Sequence, residues 1–144
     1  MEIKIKKLHP DAIIPKYAKS GDAGMDLTAI NVTTDYGCLT YHTGLAVEIP
    51  RWHVGLLFPR SSVYKGRQIL TNCVGVIDSG YTGEVFVNCI NTGPDVYTIY
   101  AKRKLPFQIV VVKCDNDFQV VTEEEYLNLT STAQRQDGQV GSSD

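Results

Sequence analysis

Residues 71–89 read TNCVGVIDSGYTGEVFVNC, the most informative segment of the chain for predicting its fold. Two short apolar runs, residues 74–77 and 85–89, flank a connection that contains two glycines. β-Branched and aromatic residues favour strands, whereas Gly, Asp and Ser favour the turns between strands. The stretch therefore predicts two consecutive strands joined by a tight turn.

The same signals recur along the rest of the chain. Alternation with a period of two, which is typical of a half-buried strand, marks residues 3–6 and 45–49. Further strand candidates, separated by turns at DYG, EIP, NTGPD and DND, are WHVGLLF, VYTIYA, FQIVVVKC and DFQVV. Only residues 122–129, TEEEYLNL, predict a helix, because Thr122 and Glu125 have the spacing of a capping box. Roughly eight to ten strands with little helix predict an all-β fold, a single jelly-roll-like β-barrel.

Length, charge and cysteine spacing exclude several classes of protein. The chain has 144 residues, which predicts one domain, and its formal net charge of -2 offers no excess of cations for a nucleic-acid partner. No apolar run approaches the roughly 18 residues that a membrane span requires, and MEIKIKKLHP lacks the apolar core of a signal peptide. Four widely spaced cysteines favour buried, reduced thiols in a cytoplasmic protein over a zinc site or disulfides.

The composition changes after residue 129. Residues 130–144, TSTAQRQDGQVGSSD, contain one large apolar residue, Val140, which is too little apolar surface to order the segment. We therefore expect a β-barrel domain at residues 1–129 and a flexible C-terminal arm at residues 130–144. The arm also carries Arg135 and several Gly and Ser residues, whose backbone N–H groups can wrap an anion; a frayed terminus is the alternative.

Asp78 is the strongest candidate for a catalytic residue. It ends the apolar run of residues 74–77 and precedes a Ser-Gly turn. A carboxylate at the end of a buried strand is held rigidly beside a cleft, which suits a general base. Tyr81 offers a flat ring for a sugar or base, and the amide of Asn72 can read a pyrimidine edge. A hairpin with an ordinary Asp turn is the competing interpretation.

The segment PRSSV follows the apolar strand WHVGLLF. Arg60 supplies a rigid fork of donors that suits phosphate, and Ser61 and Ser62 add hydroxyl donors. A polar turn with a surface arginine is the structural alternative.

Two other polar features interrupt or precede apolar strands. Gln108 lies inside the apolar run LPFQIVV, where a buried amide must bond to backbone, water or a ligand. Asp22 and Asp26 stand beside two glycines in SGDAGMDL, at the mouth of a strand, where an ordinary turn is the alternative.

Taken together, and in this order, AGMDL, PRSSV, GVIDSGYTGE, a Gln-bearing apolar strand and an Arg/Gly/Ser tail resemble the trimeric deoxyuridine triphosphatases (dUTPases). The likeness runs from about residue 15 to residue 143, and residues 75–84 are its most specific part. It implies a jelly roll that forms a homotrimer with active sites at the subunit interfaces. It also implies Mg²⁺-dependent hydrolysis of dUTP to dUMP and pyrophosphate, which keeps dUTP low and supplies dUMP for dTMP synthesis.

By matched position, the resemblance implies a role for each candidate. Asp78 would activate the attacking water, and Tyr81 would stack under the deoxyribose and leave no room for a 2′-hydroxyl. The remaining matched residues are Asn72, Cys73 and Val76 for uracil; Arg60, Ser61 and Ser62 for the phosphates; and Asp26 and Gln108, which would support the phosphate–Mg²⁺ region through polar contacts and waters rather than as direct metal ligands.

The resemblance matches the arm to a glycine-rich segment that closes over the triphosphate from a neighbouring subunit. Its matched residues are Arg135, Val140, Gly141 and Ser142. Val140 stands where the family usually carries a Phe that stacks on uracil, so we expect the arm to close more weakly or to work differently. A second departure is Leu105, which stands where the family usually carries a basic residue.

Two other functions stay open. A dCTP deaminase shares the fold and an Arg-Ser-Ser element, but it places a catalytic Glu in the strand after the Ile-Asp turn, where this chain has only Glu84 beside the turn. A binding or regulatory protein on the same fold, with the atypical tail serving a protein partner, is the other. Asp78, Tyr81 and Arg60 favour catalysis over simple binding, without excluding a second role.

Overall fold

The computed structural model describes residues 2–93, 104–115 and 119–131. The elements in chain order are β1 (Lys4–Lys7), β2 (Met25–Thr28), β3 (Asn31–Asp35), β4 (Cys38–His42), β5 (Leu45–Glu48), β6 (His53–Pro59), α1 (Val63–Gly66), β7 (Gln68–Leu70), β8 (Gly75–Ile77), β9 (Phe86–Asn91), β10 (Lys104–Lys113) and α2 (Glu123–Ser131). Ten short strands and two short helices confirm the all-β prediction for the described part of the chain.

The strands form three antiparallel sheets. One four-stranded sheet has the order β2-β10-β6-β8, a second has the order β3-β4-β9-β7, and β1 pairs with β5. Apart from the hairpin of β3 and β4, neighbouring strands in the two larger sheets are not consecutive in the sequence, so the chain crosses between sheets as in a jelly roll.

Side chains from all three sheets meet in one hydrophobic core. Along β10, Leu105, Phe107 and Ile109 are fully buried, while the residues between them face the other side. Tyr41 and Phe107 are the largest fully buried side chains. This alternation places Lys104 and Gln108 together on the face opposite the core.

β10 positions the residue that follows β6 and also carries an irregularity in its pairing with β2. The pairing of β10 with β2 shifts register between Lys104 and Gln108, an interval that contains Pro106. Proline has no N–H to donate to a ladder and is tolerated at such irregularities. The carbonyl of Pro106 accepts the N–H of Arg60 at 2.8 Å, which fixes the backbone of Arg60 against β10.

The predicted helix is confirmed as α2, with its capping box. Thr122 N–H donates to the Glu125 carboxylate at 2.7 Å, and Glu125 N–H lies 3.3 Å from the Thr122 hydroxyl. The hydrogen bonds that the Thr122 N–H and hydroxyl donate to the carboxylate hold the pKa of Glu125 below its usual value. The predicted domain boundary after residue 129 falls inside this helix, and residues 132–144 lie outside the described residues, so the division stays a prediction.

Two strand predictions near the C-terminus have other outcomes. DFQVV is not a strand where it is described, at residues 119–121, and Val120 is 86% exposed there, so its alternation does not mark a buried face. VYTIYA lies outside the described residues. The short helix α1 was not predicted because only four residues form it.

Candidate functional site

Asp78 directly follows β8, at the start of a loop that runs to Val85. β8 pairs with β6 up to Ile77, so the loop starts from backbone that a sheet ladder holds. Gly80 has φ +89°, which favours glycine, and Tyr81 N–H donates to the Asp78 carbonyl at 3.2 Å. This turn leaves the side chain of Asp78 exposed at the end of a fixed strand, the placement that the sequence predicts.

Asp78 lines a cavity of about 240 Å³. The predicted site residues Asn72, Val76 and Tyr81 line the same cavity. The other lining residues are Leu57, Gly75, Ile77, Glu84, Val85 and Phe86. A carboxylate, a carboxamide and an aromatic ring therefore converge on one concave surface.

The turn before β8 brings Asn72 to this cavity. Cys73 adopts a left-handed conformation with φ +60°, and Val74 N–H donates to the Asn72 carbonyl at 2.6 Å. A Cβ on Gly75 would lie only 2.8 Å from the Cβ of Leu57. Glycine at position 75 therefore lets β8 approach β6 closely enough to carry the turn over the cavity.

Tyr81 is held by the far end of its loop. Its hydroxyl donates to the backbone carbonyl of Glu84 at 3.0 Å. A Cβ on Gly83 would lie 2.5 Å from the Tyr81 hydroxyl oxygen, so this glycine makes room for the ring. The Tyr81 side chain stays 41% exposed, which leaves aromatic surface beside Asp78 for a ligand.

A second polar cluster surrounds Asp26 on β2, the opposite edge of the same sheet. The Asp26 carboxylate is only 7% exposed and lies 2.6 Å from Nε of Arg60. Its other oxygen pairs with Nζ of Lys104. Two cations therefore neutralise a buried carboxylate, and the short charged contact fixes the direction of the guanidinium group.

Gln108 belongs to the same cluster. It pairs with Asp26 across β10 and β2, and its Nε2 donates to the Pro59 carbonyl at 3.3 Å. A Cβ on Gly24 would overlap the Gln108 side chain, so the glycine of AGMDL makes room for this amide. Ser61 is exposed, and Ser62 precedes α1 without capping it through its side chain.

Lys104, which pairs with Asp26, places a basic group next to position 105, where the resemblance expects one. Leu105 is fully buried in the core, whereas Lys104 faces the other side because successive residues of a strand alternate. Counting back in twos from Gln108 leads to Lys104. The alternation of β10 could therefore have identified this residue from the sequence.

One chain does not bring the two clusters together. Ile77, the last residue of β8, pairs with Gly55 near the start of β6, and Asp78 lies one residue further in the same direction. Arg60, by contrast, follows the last residue of β6. At about 3.3 Å per residue, the strand between them corresponds to a separation of about 20 Å. Asp78 and Arg60 of one chain therefore cannot contact the same phosphate group.

Similarity to known proteins identifies the family. The sequence model described as dUTPase matches residues 10–144. This chain belongs to the dUTPase family. It is 41% identical over 115 residues to a deoxyuridine 5′-triphosphate nucleotidohydrolase of Solibacter usitatus, which covers 76% of this chain and 78% of that protein.

Solved dUTPase structures share the fold. The dUTPase of Staphylococcus bacteriophage 80alpha with dUPNHPP superposes with a TM-score of 0.74 at 23% identity, covering 99% of this chain and 98% of that chain. A D95N mutant dUTPase of phage phi11 of S. aureus, which coordinates a structural Mg(II) ion, superposes with a TM-score of 0.67 at 24% identity, covering 85% and 97%. The jelly-roll prediction is therefore confirmed.

Glu84 has a structural role in this member of the dUTPase family that its sequence position did not reveal. Its carboxylate accepts the N–H of Gly44 at 2.7 Å and faces Nδ1 of His42 at 3.1 Å. Because both carboxylate oxygens have partners, Glu84 is a poor candidate for the base of a deaminase. Phe86, which lines the cavity and is 43% exposed, was also not predicted from the sequence. In the alternating pattern of β9, position 86 looks like any outward-facing residue.

The cysteines are all free, and the thiols differ in exposure. Burial, with a smaller contribution from the charge of Cys38, raises the pKa of the Cys89 thiol to about 12. Cys73 is exposed, so the prediction of buried thiols is wrong at this position. Across the described residues, no three or more His, Cys, Asp or Glu side chains gather as a metal site.

The predicted arm residues lie outside the described residues: Arg135, Val140, Gly141 and Ser142. Their roles stay predictions. No helix in the part of the chain that the structure describes is long and apolar enough to cross a membrane.

Proposed function

We propose that this chain is a dUTP diphosphatase that hydrolyses dUTP to dUMP and pyrophosphate. Membership of the dUTPase family supports the reaction. The observation that carries the proposal for the site is the exposed carboxylate of Asp78, fixed at a strand end in a cavity that it shares with Asn72 and Tyr81.

Asp78 acts as the general base. Its carboxylate accepts a proton from a water molecule as the water oxygen bonds to the α-phosphorus of dUTP. The bond from the α-phosphorus to the oxygen that bridges to the β-phosphorus breaks in line with this attack, and pyrophosphate leaves with the bonding electrons. The rigid strand end lowers the barrier because the base and the water need little reorientation.

The turn and loop around β8 select the nucleoside. The Asn72 amide and the backbone of residues 73–76, including Cys73 and Val76, bind the edge of uracil, while Tyr81 lies against the deoxyribose. A 2′-hydroxyl would have to occupy space that the Tyr81 ring fills. The ring can exclude a single hydroxyl only if it is held firmly in place. The hydrogen bond from the Tyr81 hydroxyl to the Glu84 carbonyl holds it there.

The Asp26 cluster binds the triphosphate. Arg60 donates to phosphate oxygens, the hydroxyls of Ser61 and Ser62 add donors, and Asp26 holds the guanidinium group in place. This leaves little of the Asp26 carboxylate for direct metal coordination, since it already pairs with Arg60 and Lys104.

Mg²⁺ fits this donor set as an ion held by substrate phosphate oxygens and water, with Asp26 and Gln108 nearby through polar contacts. When bound, Mg²⁺ neutralises phosphate charge and holds the three phosphates in one geometry. The residues of the chain then bind and orient the substrate around that geometry.

Each active site combines residues of different copies in a homotrimer. Two observations support this: the cavity of about 240 Å³ is smaller than the roughly 300–1,000 Å³ of most small-ligand sites, and Arg60 is about 20 Å from Asp78 along the sheet. A second copy can place its Arg60 cluster opposite the Asp78 of the first. The arm of a third, with Arg135, Val140, Gly141 and Ser142, closes over the triphosphate.

We also propose that the atypical arm can bind a regulatory protein partner.

We place the chain in the cytoplasm, because free cysteines suit a reducing compartment.

The test is pyrophosphate release from dUTP, dCTP, dTTP and UTP, each with and without Mg²⁺. We expect release from dUTP and only in the presence of Mg²⁺. Ammonia release from dCTP would instead assign the chain to deamination, and no turnover of any of the four nucleotides would support a binding protein.

A further inference from the structure

Both carboxylate oxygens of Glu84 are tied to the connection between β4 and β5. One accepts the Gly44 N–H at 2.7 Å, and the other lies 3.1 Å from Nδ1 of His42. The second ring nitrogen of His42 lies 3.0 Å from the Thr33 hydroxyl. The side chains of His42 and Glu84 are 30% and 28% exposed, so water competes only in part for these contacts.

The backbone of Glu84 connects this network to Tyr81. Its carbonyl accepts the Tyr81 hydroxyl at 3.0 Å. The next residue, Val85, donates its N–H to Leu45 at 2.8 Å, so Glu84 is the last residue of the loop before the chain rejoins the barrel. A shift of Glu84 would move the hydrogen-bond partner of Tyr81. His42 is thus linked to the Tyr81 ring through a single residue.

The hydrogen positions on His42 follow from its partners. A carboxylate only accepts hydrogen bonds, so Nδ1 of His42 carries the proton that it donates to Glu84. The Thr33 hydroxyl can rotate to donate to Nε2 of a neutral ring or to accept from a charged one. The contact between His42 and Glu84 is therefore compatible with both charge states of the ring.

The sheet does not depend on this contact. Backbone ladders pair β4 with both β3 and β9, and the Val85 N–H has its own partner in Leu45. Removing the His42 donor would therefore loosen the end of the loop more than the barrel.

We propose that His42 is a positioning residue that holds Glu84, and through it the Tyr81 ring, in the place where the ring excludes ribonucleotides. The inference rests on the role of Tyr81 in the proposed function. His42 touches neither substrate nor Asp78 in this scheme and acts through Glu84.

Two variants of His42 separate positioning from a general structural role. His42→Asn puts an amide N–H near the place of Nδ1 and keeps a donor for Glu84. His42→Gln puts its amide near the place of Nε2 and leaves Glu84 without that donor. We expect His42→Gln to lower the ratio of kcat/KM for dUTP over UTP by about five- to tenfold, the effect of losing one ordinary hydrogen bond, and His42→Asn to retain most of the ratio.

The matched control is Thr40→Val. Thr40 lies on β4, the strand that carries His42, and donates a 2.7 Å hydrogen bond to Asn88 on β9. The substitution removes this hydrogen bond and leaves the contacts of Glu84 in place. We expect it to change the free energy of unfolding but not the dUTP/UTP ratio. Equal ratios in both His42 variants, or a comparable drop in Thr40→Val, would overturn the positioning role.

A readout that needs no turnover completes the test. In protein with ¹³C-labelled tyrosine rings, the Tyr81 resonances, assigned with Tyr81→Phe, should shift or broaden in His42→Gln and stay near their original positions in His42→Asn. Unmoved resonances in His42→Gln would overturn the proposal. If the unaltered chain fails to hydrolyse dUTP, the proposed function fails, and the ring resonances still decide whether His42 positions Tyr81.

Discussion

Asp26 on β2 and Arg60 after β6 meet across the intervening strand β10, with 2.6 Å between a carboxylate oxygen and the guanidinium Nε. The two residues come from AGMDL and PRSSV, segments that look like separate turns in the sequence. Their contact makes them one unit, in which a nearly buried carboxylate orients the group proposed to bind phosphate.

Neutralising Asp26 should cost stability. Asp26→Asn keeps the shape of the side chain but leaves Arg60 and Lys104 without a charged partner. We expect the free energy of unfolding to fall by about 1–3 kcal/mol, less than for a fully buried pair because both cations reach solvent. Urea denaturation measures it. The control Glu48→Gln disrupts the exposed Lys4–Glu48 pair and should cost at most about 0.5 kcal/mol; equal losses would contradict the prediction.

Asp78→Asn should bind dUTP yet lose turnover. We expect a loss of about 10²–10⁴-fold, since the amide cannot accept the proton of the attacking water. Titration calorimetry measures binding, and pyrophosphate release measures turnover. Asp35→Asn, a change at an exposed position of β3, is the matched control and should leave the rate unaltered. A rate near that of the unaltered chain would remove Asp78 from the mechanism.

Tyr81→Ala should admit UTP. Loss of the ring opens space for the 2′-hydroxyl, and we expect discrimination between dUTP and UTP to fall by roughly 10–200-fold. Tyr81→Phe keeps the ring and removes only the hydrogen bond to Glu84, so its loss should be smaller. Competition assays with both nucleotides give the ratio. Unaltered selectivity in Tyr81→Ala would refute the proposed contact with the sugar.

Removing residues 132–144 should impair hydrolysis without unfolding the barrel. The cut lies after α2, which ends at Ser131, and so keeps all the described elements. Size-exclusion chromatography and circular dichroism check the assembly and the fold. An unchanged rate in the shortened chain would mean that the arm is not a lid.

Val140→Phe should tighten binding of dUTP by about 1–3 kcal/mol, the usual gain from stacking a base on an aromatic ring.

Local signals were sufficient for much of the fold. The apolar run before Asp78 predicted a strand with a carboxylate at its end, and Thr122 with Glu125 predicted α2, because both patterns depend on residues a few positions apart. Residues 119–121 show the limit of such patterns, since Val120 alternates with polar neighbours yet is exposed.

Contacts between distant residues could not be predicted in the same way. His42 and Glu84 are brought together by the packing of the β4–β5 connection against the end of the Tyr81 loop, and no local spacing encodes that meeting. Lys104 was missed for a different reason: the alternation of β10 places it on the same face as Gln108, but its role depends on an ion pair with the distant Asp26.

The length of β6 has a genetic consequence. Because this strand separates Asp78 from Arg60, the defects Asp78→Asn and Arg60→Ala would damage different parts of the site that we propose is shared between copies. Chains with one substitution, mixed and reassembled with chains that carry the other, should regain part of the lost activity. Some sites in the mixed assemblies would combine an intact Asp78 from one variant with an intact Arg60 from the other. Two mutant alleles of this gene in one cell would then complement each other.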